Sequence, residues 1–144
     1  MAIPLPDAVG WGTLAIAATL GALLFLSACI APLAATRLAP DIAGRLMRAL
    51  LPCVYATGLV GSSLAALLCA GTAPVAASLS LVAALGFLLT WQVLVPALEA
   101  ARDAAITDAG AARRFARLRR AGIAVNLLQP VVLLLAFLYA MART

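Results

Sequence analysis

Uncharged stretches divide the chain. No residue carries a charge from Ala8 to Thr36, from Ala49 to Leu98, or from Ala121 to Ala142. About 20 apolar residues in helical form cross the hydrocarbon core of a bilayer, so the first and last stretches each predict one span. The middle stretch, 50 residues long, is too long for one span and suits two joined by a turn at Gly71-Thr72-Ala73-Pro74. Predicted spans cover residues of about 8–33, 49–70, 75–98 and 121–142, with Pro32 close to the end of the first. Two polar segments separate them. In the first, Asp41 is placed to start a helix and to pair with Arg45 one turn later. In the second, helix three is expected to run on through Glu99 and Arg102 and to break around Thr107-Asp108-Ala109-Gly110. Helix four then starts near Ala111, with Asp108 at its positive end.

Composition turns these spans into a fold class. With 66% hydrophobic and 10% charged residues and a mean hydropathy of +1.14, the chain lacks the polar surface that a water-soluble domain needs. It is predicted to be all-α, a polytopic membrane protein folded as one four-transmembrane-helix bundle over residues 1–144. The net charge of +5 sets ten arginines, with no lysine, against five acidic residues. Three arginines lie in the first polar segment (37, 45, 48), six in the second (102, 113, 114, 117, 119, 120), and Arg143 lies beyond the last span. On short loops this asymmetry predicts that both loops face the cytoplasm and both termini lie outside it. Arginines beside apolar runs imply contact with the lipid bilayer and its anionic headgroups, not with nucleic acid. The lack of lysine and the wealth of alanine suit a GC-rich bacterial genome, so the expected location is the bacterial inner membrane. Leu26-Ser27-Ala28-Cys29 matches a lipobox, but Met1 to Asp7 carries an acid and no basic residue, so the first span is expected to be retained as a span, not removed as a signal peptide.

The segment from Arg113 to Ala142 carries most of the polar detail. At about 100° per residue, Phe115, Leu118, Arg119, Gly122, Asn126 and Gln129 share one helical face, whereas Arg113, Arg117, Arg120 and Ala124 share the opposite one. Arg113, Arg117 and Arg120 are therefore expected to reach lipid headgroups. Asn126 and Gln129 flank a backbone carbonyl that Pro130 leaves without its usual donor. With Gln92 and Ser62 they are expected to form a polar intramembrane stripe, read as interhelical hydrogen bonding in preference to a conduit. Trp91-Gln92 is expected to lie inside the bundle, and Trp11 and Tyr139 to anchor the outer interface.

Several of these residues together resemble a known family. Ala31-Pro32 through Arg37-Leu38-Ala39-Pro40, Ala43-Gly44-Arg45-Leu46, Leu51-Pro52, Val95-Pro96, Arg102-Asp103, and Phe115-Ala116-Arg117-Leu118-Arg119-Arg120 through Asn126-Leu127-Leu128-Gln129 are similar to the transmembrane protein 205-like domain, small four-span membrane proteins of unknown biochemical function. Relatives typically carry a His just before the last span, where this chain has Arg119. An inward charge at that level needs a partner, and Glu99 at the end of span three is the expected one, forming a cytoplasmic ion pair with Arg119; Asp41 and Asp103 are the alternatives, and the competing reading is that Arg119 reaches headgroups as Arg113, Arg117 and Arg120 do.

The search for reactive groups returns little. There is no His to ligate a haem, and no carboxylate lies in the middle of a span, where an ion-coupled exporter would need one. Cys29 and Cys53, with Met47 near them, offer soft ligands of the kind Cu(I) accepts, but small apolar packing is the preferred reading of these thiols. No catalytic residue, metal site or cofactor is therefore assigned, and no enzymatic activity is expected. A structural, accessory or scaffold role is the leading expectation, with a membrane-protein partner or a homo-oligomer left open. The alternative is a small-solute or metal-tolerance transporter or channel using the polar stripe of helix four.

Overall fold

The computed structural model describes residues 7–104 and 108–143. They form four long helices, α1 (Ala8–Arg37), α2 (Pro40–Cys69), α3 (Pro74–Ala104) and α4 (Ala109–Met141), with no strand among the described residues. All four are long and apolar enough to cross a membrane, the shortest at 30 residues. At about 1.5 Å of rise per residue that is roughly 45 Å of helix, longer than the hydrocarbon core, so the helices continue past the predicted spans into the polar segments.

The ends have local causes. Asp7 caps α1, its carboxylate accepting the Gly10 N–H at 2.8 Å. Pro40 and Pro74 open α2 and α3, where a missing N–H costs nothing, and they hold Ala39 and Ala73 out of helical conformation. Asp108 caps α4 by accepting from Gly110 and Ala111 at 2.8 and 3.2 Å. The break expected around Thr107 is described only from Asp108 onward.

Pro32 does not end the first helix near Leu33, as the pattern predicts. The helix instead widens into a π turn over Leu26–Ile30, closed by the Ala31 N–H donating to the Leu26 carbonyl, and runs on to Arg37. A wide turn just upstream relieves the collision between a proline ring and the carbonyl four residues before it. The same device recurs in α3, where Thr90–Leu94 forms a π turn two residues before Pro96 and the Val95 N–H donates to the Thr90 carbonyl.

The helices pack as a ring in which α1 and α3 each touch both α2 and α4. Inward positions alternate in spacings of three and four: Val9, Gly12, Ile16, Thr19 and Leu23 on α1; Tyr55, Gly58, Ser62, Ala65 and Cys69 on α2; Ala76, Ser80, Ala83, Phe87 and Thr90 on α3; Gln129, Leu133, Ala136 and Ala140 on α4. This seven-residue period is that of left-handed bundle packing. Most of these side chains are small, which lets backbones approach where apolar lipid gives no hydrophobic drive between helices. A Cβ on Gly12 would lie 2.5 Å from Cys69 Sγ, and one on Gly58 would lie 2.6 Å from the Phe87 ring. The large residues face out: Leu14, Val60, Leu67, Leu89, Leu127 and Leu138 are all about half exposed or more, an apolar belt that only lipid or another membrane helix covers.

Candidate functional site

The bundle is tight at one end and open at the other. A cavity of about 230 Å³ lies between α2, α3 and α4 toward the arginine-bearing segments. Arg48, Glu99, Arg102 and Arg119 stand at its mouth, Leu51, Leu94, Leu98, Leu118 and Ile123 form its walls, Tyr55 and Thr90 are its buried residues, and Asn126, expected to face inward, lines it while remaining exposed. A second cavity of about 140 Å³ lies between α1, α2 and α4 and shares Leu51, Tyr55 and Asn126 with the first. Between them the Asn126 side-chain amide donates a long hydrogen bond of 3.4 Å to the Tyr55 hydroxyl. Each cavity is bordered by one of the π turns: Thr90 and Leu94 line the larger, Leu26 and Ser27 the smaller. Beyond Gln129 and Phe87 the axis is filled by Ile16, Ser62, Ser80 and Leu133, none of which has any exposed surface.

The mouth is basic, three arginines against one carboxylate. Among the described residues no carboxylate lies within 4.0 Å of Arg48, Arg102 or Arg119; the ion pair that does form is Arg45 with Asp41, at 3.8 Å on the exposed start of α2. Arg48 Nε donates to the Gly44 carbonyl at 3.3 Å, along its own helix. The expected Arg119–Glu99 ion pair is therefore not formed, although both residues line the same cavity. Both side chains are exposed, and at that level solvation offsets what a direct contact contributes, removing the drive to pair.

The expected polar stripe divides. Asn126 reaches Tyr55 between the two cavities. Gln129 is buried against Gly86 and lines the smaller cavity, but its amide nitrogen finds no partner among the described residues. Ser62 is buried in the tight half, its hydroxyl equally unpartnered. Gln92 faces outward and is no part of the stripe: Thr90 holds the inward position, and within the π turn the residue two further on points to the other side of the helix. Trp91, its neighbour, does pack against the core. Arg113, Arg117 and Arg120 are exposed and line neither cavity, whereas Phe115, Leu118, Arg119, Gly122 and Asn126, one face of α4, all line the larger one. Cys29 and Cys53 are exposed, and Met47 lines a cavity that neither thiol reaches. Trp11 and Tyr139 are half exposed at the tight end of the bundle.

Sequence reasoning passed over Arg48, Arg102, Tyr55 and Thr90 at this site. Spacing carried the signal: Arg48, Leu51 and Tyr55 follow one face of α2, and Thr90, Leu94, Leu98 and Arg102 recur every fourth residue of α3. Arginine counts give topology and headgroup contact, but not which of them share a cavity.

Four apolar helices around a core of small residues define a multi-pass membrane protein. The chain belongs to the family described as a domain of unknown function (DUF4149), whose model matches residues 14–107. That match takes in most of α1 and all of α2 and α3, including Arg48, Tyr55, Thr90, Glu99 and Arg102, and stops before α4. No curated protein and no solved structure matches the chain.

Proposed function

We propose that this chain is a non-enzymatic accessory or scaffold protein of the bacterial inner membrane, related to the transmembrane protein 205-like domain. Its arginine-bearing end lies in the cytoplasm, both termini lie outside, and it is held to anionic lipid headgroups. The observation that carries the reading is the one-sidedness of the bundle: a basic crevice opens at one end, and the axis beyond Phe87 and Gln129 is filled. A protein that holds a ligand from one side needs this shape; a solute conduit needs a path through. Nine of the ten arginines gather at the open end, which suits a leaflet surface rich in anionic lipid. Four of the five acids sit at or near helix ends, the fifth, Glu99, is exposed at the mouth of the crevice, and His is absent from the sequence, which favours an accessory role over acid–base or ion-coupled chemistry. The lipid-facing belt leaves room for a membrane-protein partner or a second copy.

Thermal unfolding in nanodiscs tests the lipid reading. Phosphatidylglycerol discs are expected to raise the midpoint over phosphatidylcholine discs, and added salt to reduce the difference. Equal midpoints in the two lipids at low salt would overturn it.

A further inference from the structure

We propose that the crevice between α2, α3 and α4 is a binding site for a single anionic phospholipid, with its phosphodiester among Arg48, Arg102 and Arg119 and one acyl chain against Leu51, Leu98 and Ile123. The inference deepens the lipid reading above and rests on it, replacing diffuse attraction to the leaflet with one built site.

Three features of the crevice converge on this ligand. The first is charge. Three guanidiniums border one cavity against a single carboxylate, Glu99, and none of the three has an acidic partner among the described residues. Like charges gathered beside an apolar wall repel one another, and an anion between them relieves the repulsion while taking charge-assisted, two-point hydrogen bonds from guanidinium forks. The second is the wall. Below the arginines the lining turns almost wholly apolar, which a free, fully hydrated anion cannot use and a hydrocarbon chain can. Ile123, 53% exposed, forms one edge of the cavity and also faces outward from α4, so a chain can lie in the crevice without leaving the bilayer. The third is level. The arginines stand where apolar spans give way to polar segments, the depth at which phosphates of the leaflet lie. Glu99 refines the choice, because a carboxylate at the rim accepts hydrogen bonds from headgroup hydroxyls and disfavours a doubly charged phosphate, so a glycerol headgroup suits it better than a phosphomonoester.

Between the crevice and the smaller cavity stand the buried Tyr55 and the Asn126 amide bonded to its hydroxyl. Gly122 lines the wall, where an added Cβ would rest 3.5 Å from Leu94. A larger side chain at that position therefore fills the cavity without changing any charge.

Native mass spectrometry of the full chain, titrated with dioleoyl phosphatidylglycerol, dioleoyl phosphatidylcholine or inorganic phosphate, tests the site. The wild-type chain should hold one phosphatidylglycerol far more tightly than any further copy and more tightly than phosphatidylcholine. Replacing Arg48, Arg102 and Arg119 singly by Gln should weaken that first copy roughly tenfold each. Gly122→Phe should weaken it comparably at unchanged charge. The matched triple Arg113→Gln, Arg117→Gln, Arg120→Gln should spare it, and unfolding midpoints near wild type will show that the variants are folded. Equal losses from the two sets of arginines would overturn the site and leave diffuse headgroup attraction standing. Phosphate displacing the lipid at equal concentration would make the ligand a free anion and overturn the lipid assignment. No preference for phosphatidylglycerol in any variant would overturn the broader lipid reading with it.

Discussion

Gly58 is a position where the packing of this bundle leaves no room for a side chain. It stands on the inward face of α2 against the Phe87 ring of α3, and a Cβ there would meet three ring carbons at 2.6, 2.7 and 2.8 Å. Phe87 is 1% exposed and packed in the core, so the ring has no free space to enter and Gly58→Ala must separate the helices or force the ring off its rotamer. Overpacking of this kind costs about 1–3 kcal/mol. Alanine in place of glycine in a helix returns about 0.5–1 kcal/mol, which leaves a net loss on the order of 1–2 kcal/mol. Gly21→Ala and Gly44→Ala are the controls, since nothing lies within 4 Å of a Cβ at either, and both should hold or raise stability. Reversible unfolding in mixed micelles, followed by helical circular dichroism, measures all three. Gly58→Ala combined with Phe87→Leu should lose less than the two single changes added together, because the smaller side chain vacates the space that the new methyl needs. A Gly58→Ala protein as stable as Gly44→Ala, or strictly additive effects in the pair, would refute the close approach of α2 and α3.

Gln129→Leu should leave stability unchanged or raise it by up to about 1 kcal/mol, because it removes a buried amide nitrogen that has no partner among the described residues; the same micelle titration reads it, and a clear loss would mean that Gln129 does bond across helices. A double-mutant cycle of Arg119→Gln with Glu99→Gln should show coupling well under about 1 kcal/mol, and a larger coupling would restore the ion pair that the geometry omits. In a variant without Cys29, Cys53 and Cys69, new cysteines at the exposed positions Ile42 and Ala112 should take membrane-impermeant maleimide only from the cytoplasmic side; labelling of either from outside would reverse the orientation.

Charge, proline and turn residues made the spans legible: Pro74 and Asp108 set helix ends where the pattern puts them, whereas Asp41, expected to cap a helix start, lies in the first turn of α2 without capping it and only pairs with Arg45. The inward faces were harder to read. In a soluble helix the buried face is the apolar one, but here both faces are apolar, small residues within and leucines without, and hydropathy loses its period. The faces are marked instead by small and weakly polar residues, such as Gly12, Thr19, Ser62, Ser80 and Thr90. Their hydroxyls can be buried at little cost where they bond within their own helix, as Thr13, Thr19 and Thr90 do to the carbonyl four residues back at 2.8 Å. Counting small residues at spacings of three and four would have placed Ser62 inside and Gln92 outside. The Arg119–Glu99 pair does not form for another reason: a wheel gives direction but not depth, and both side chains are exposed, where a direct contact contributes little.

The crevice follows from how differently the two ends of the helices are punctuated. Toward the closed end the inward residues are mostly Gly, Ala, Ser and Cys at unbroken three- and four-residue spacing, and the four backbones draw together. Toward the arginine-bearing end each helix carries a proline: Pro32 and Pro96 with their π turns in α1 and α3, Pro52 and Pro130 inside α2 and α4. A proline removes a backbone hydrogen bond and spoils the regular ridge that a neighbouring helix needs for close packing. A π turn also rotates everything after it relative to the turns before. Past Thr90 and Leu26 the closed-end register therefore no longer governs which side chains face inward, and larger residues, Leu51, Leu94, Phe115 and Leu118, take up positions with space between them. The order of these devices also repeats, a π turn before proline in α1 and again in α3, a proline within α2 and again within α4. Two antiparallel hairpins of like design, set side by side around one axis, thus account both for the ring of helices and for its single open end.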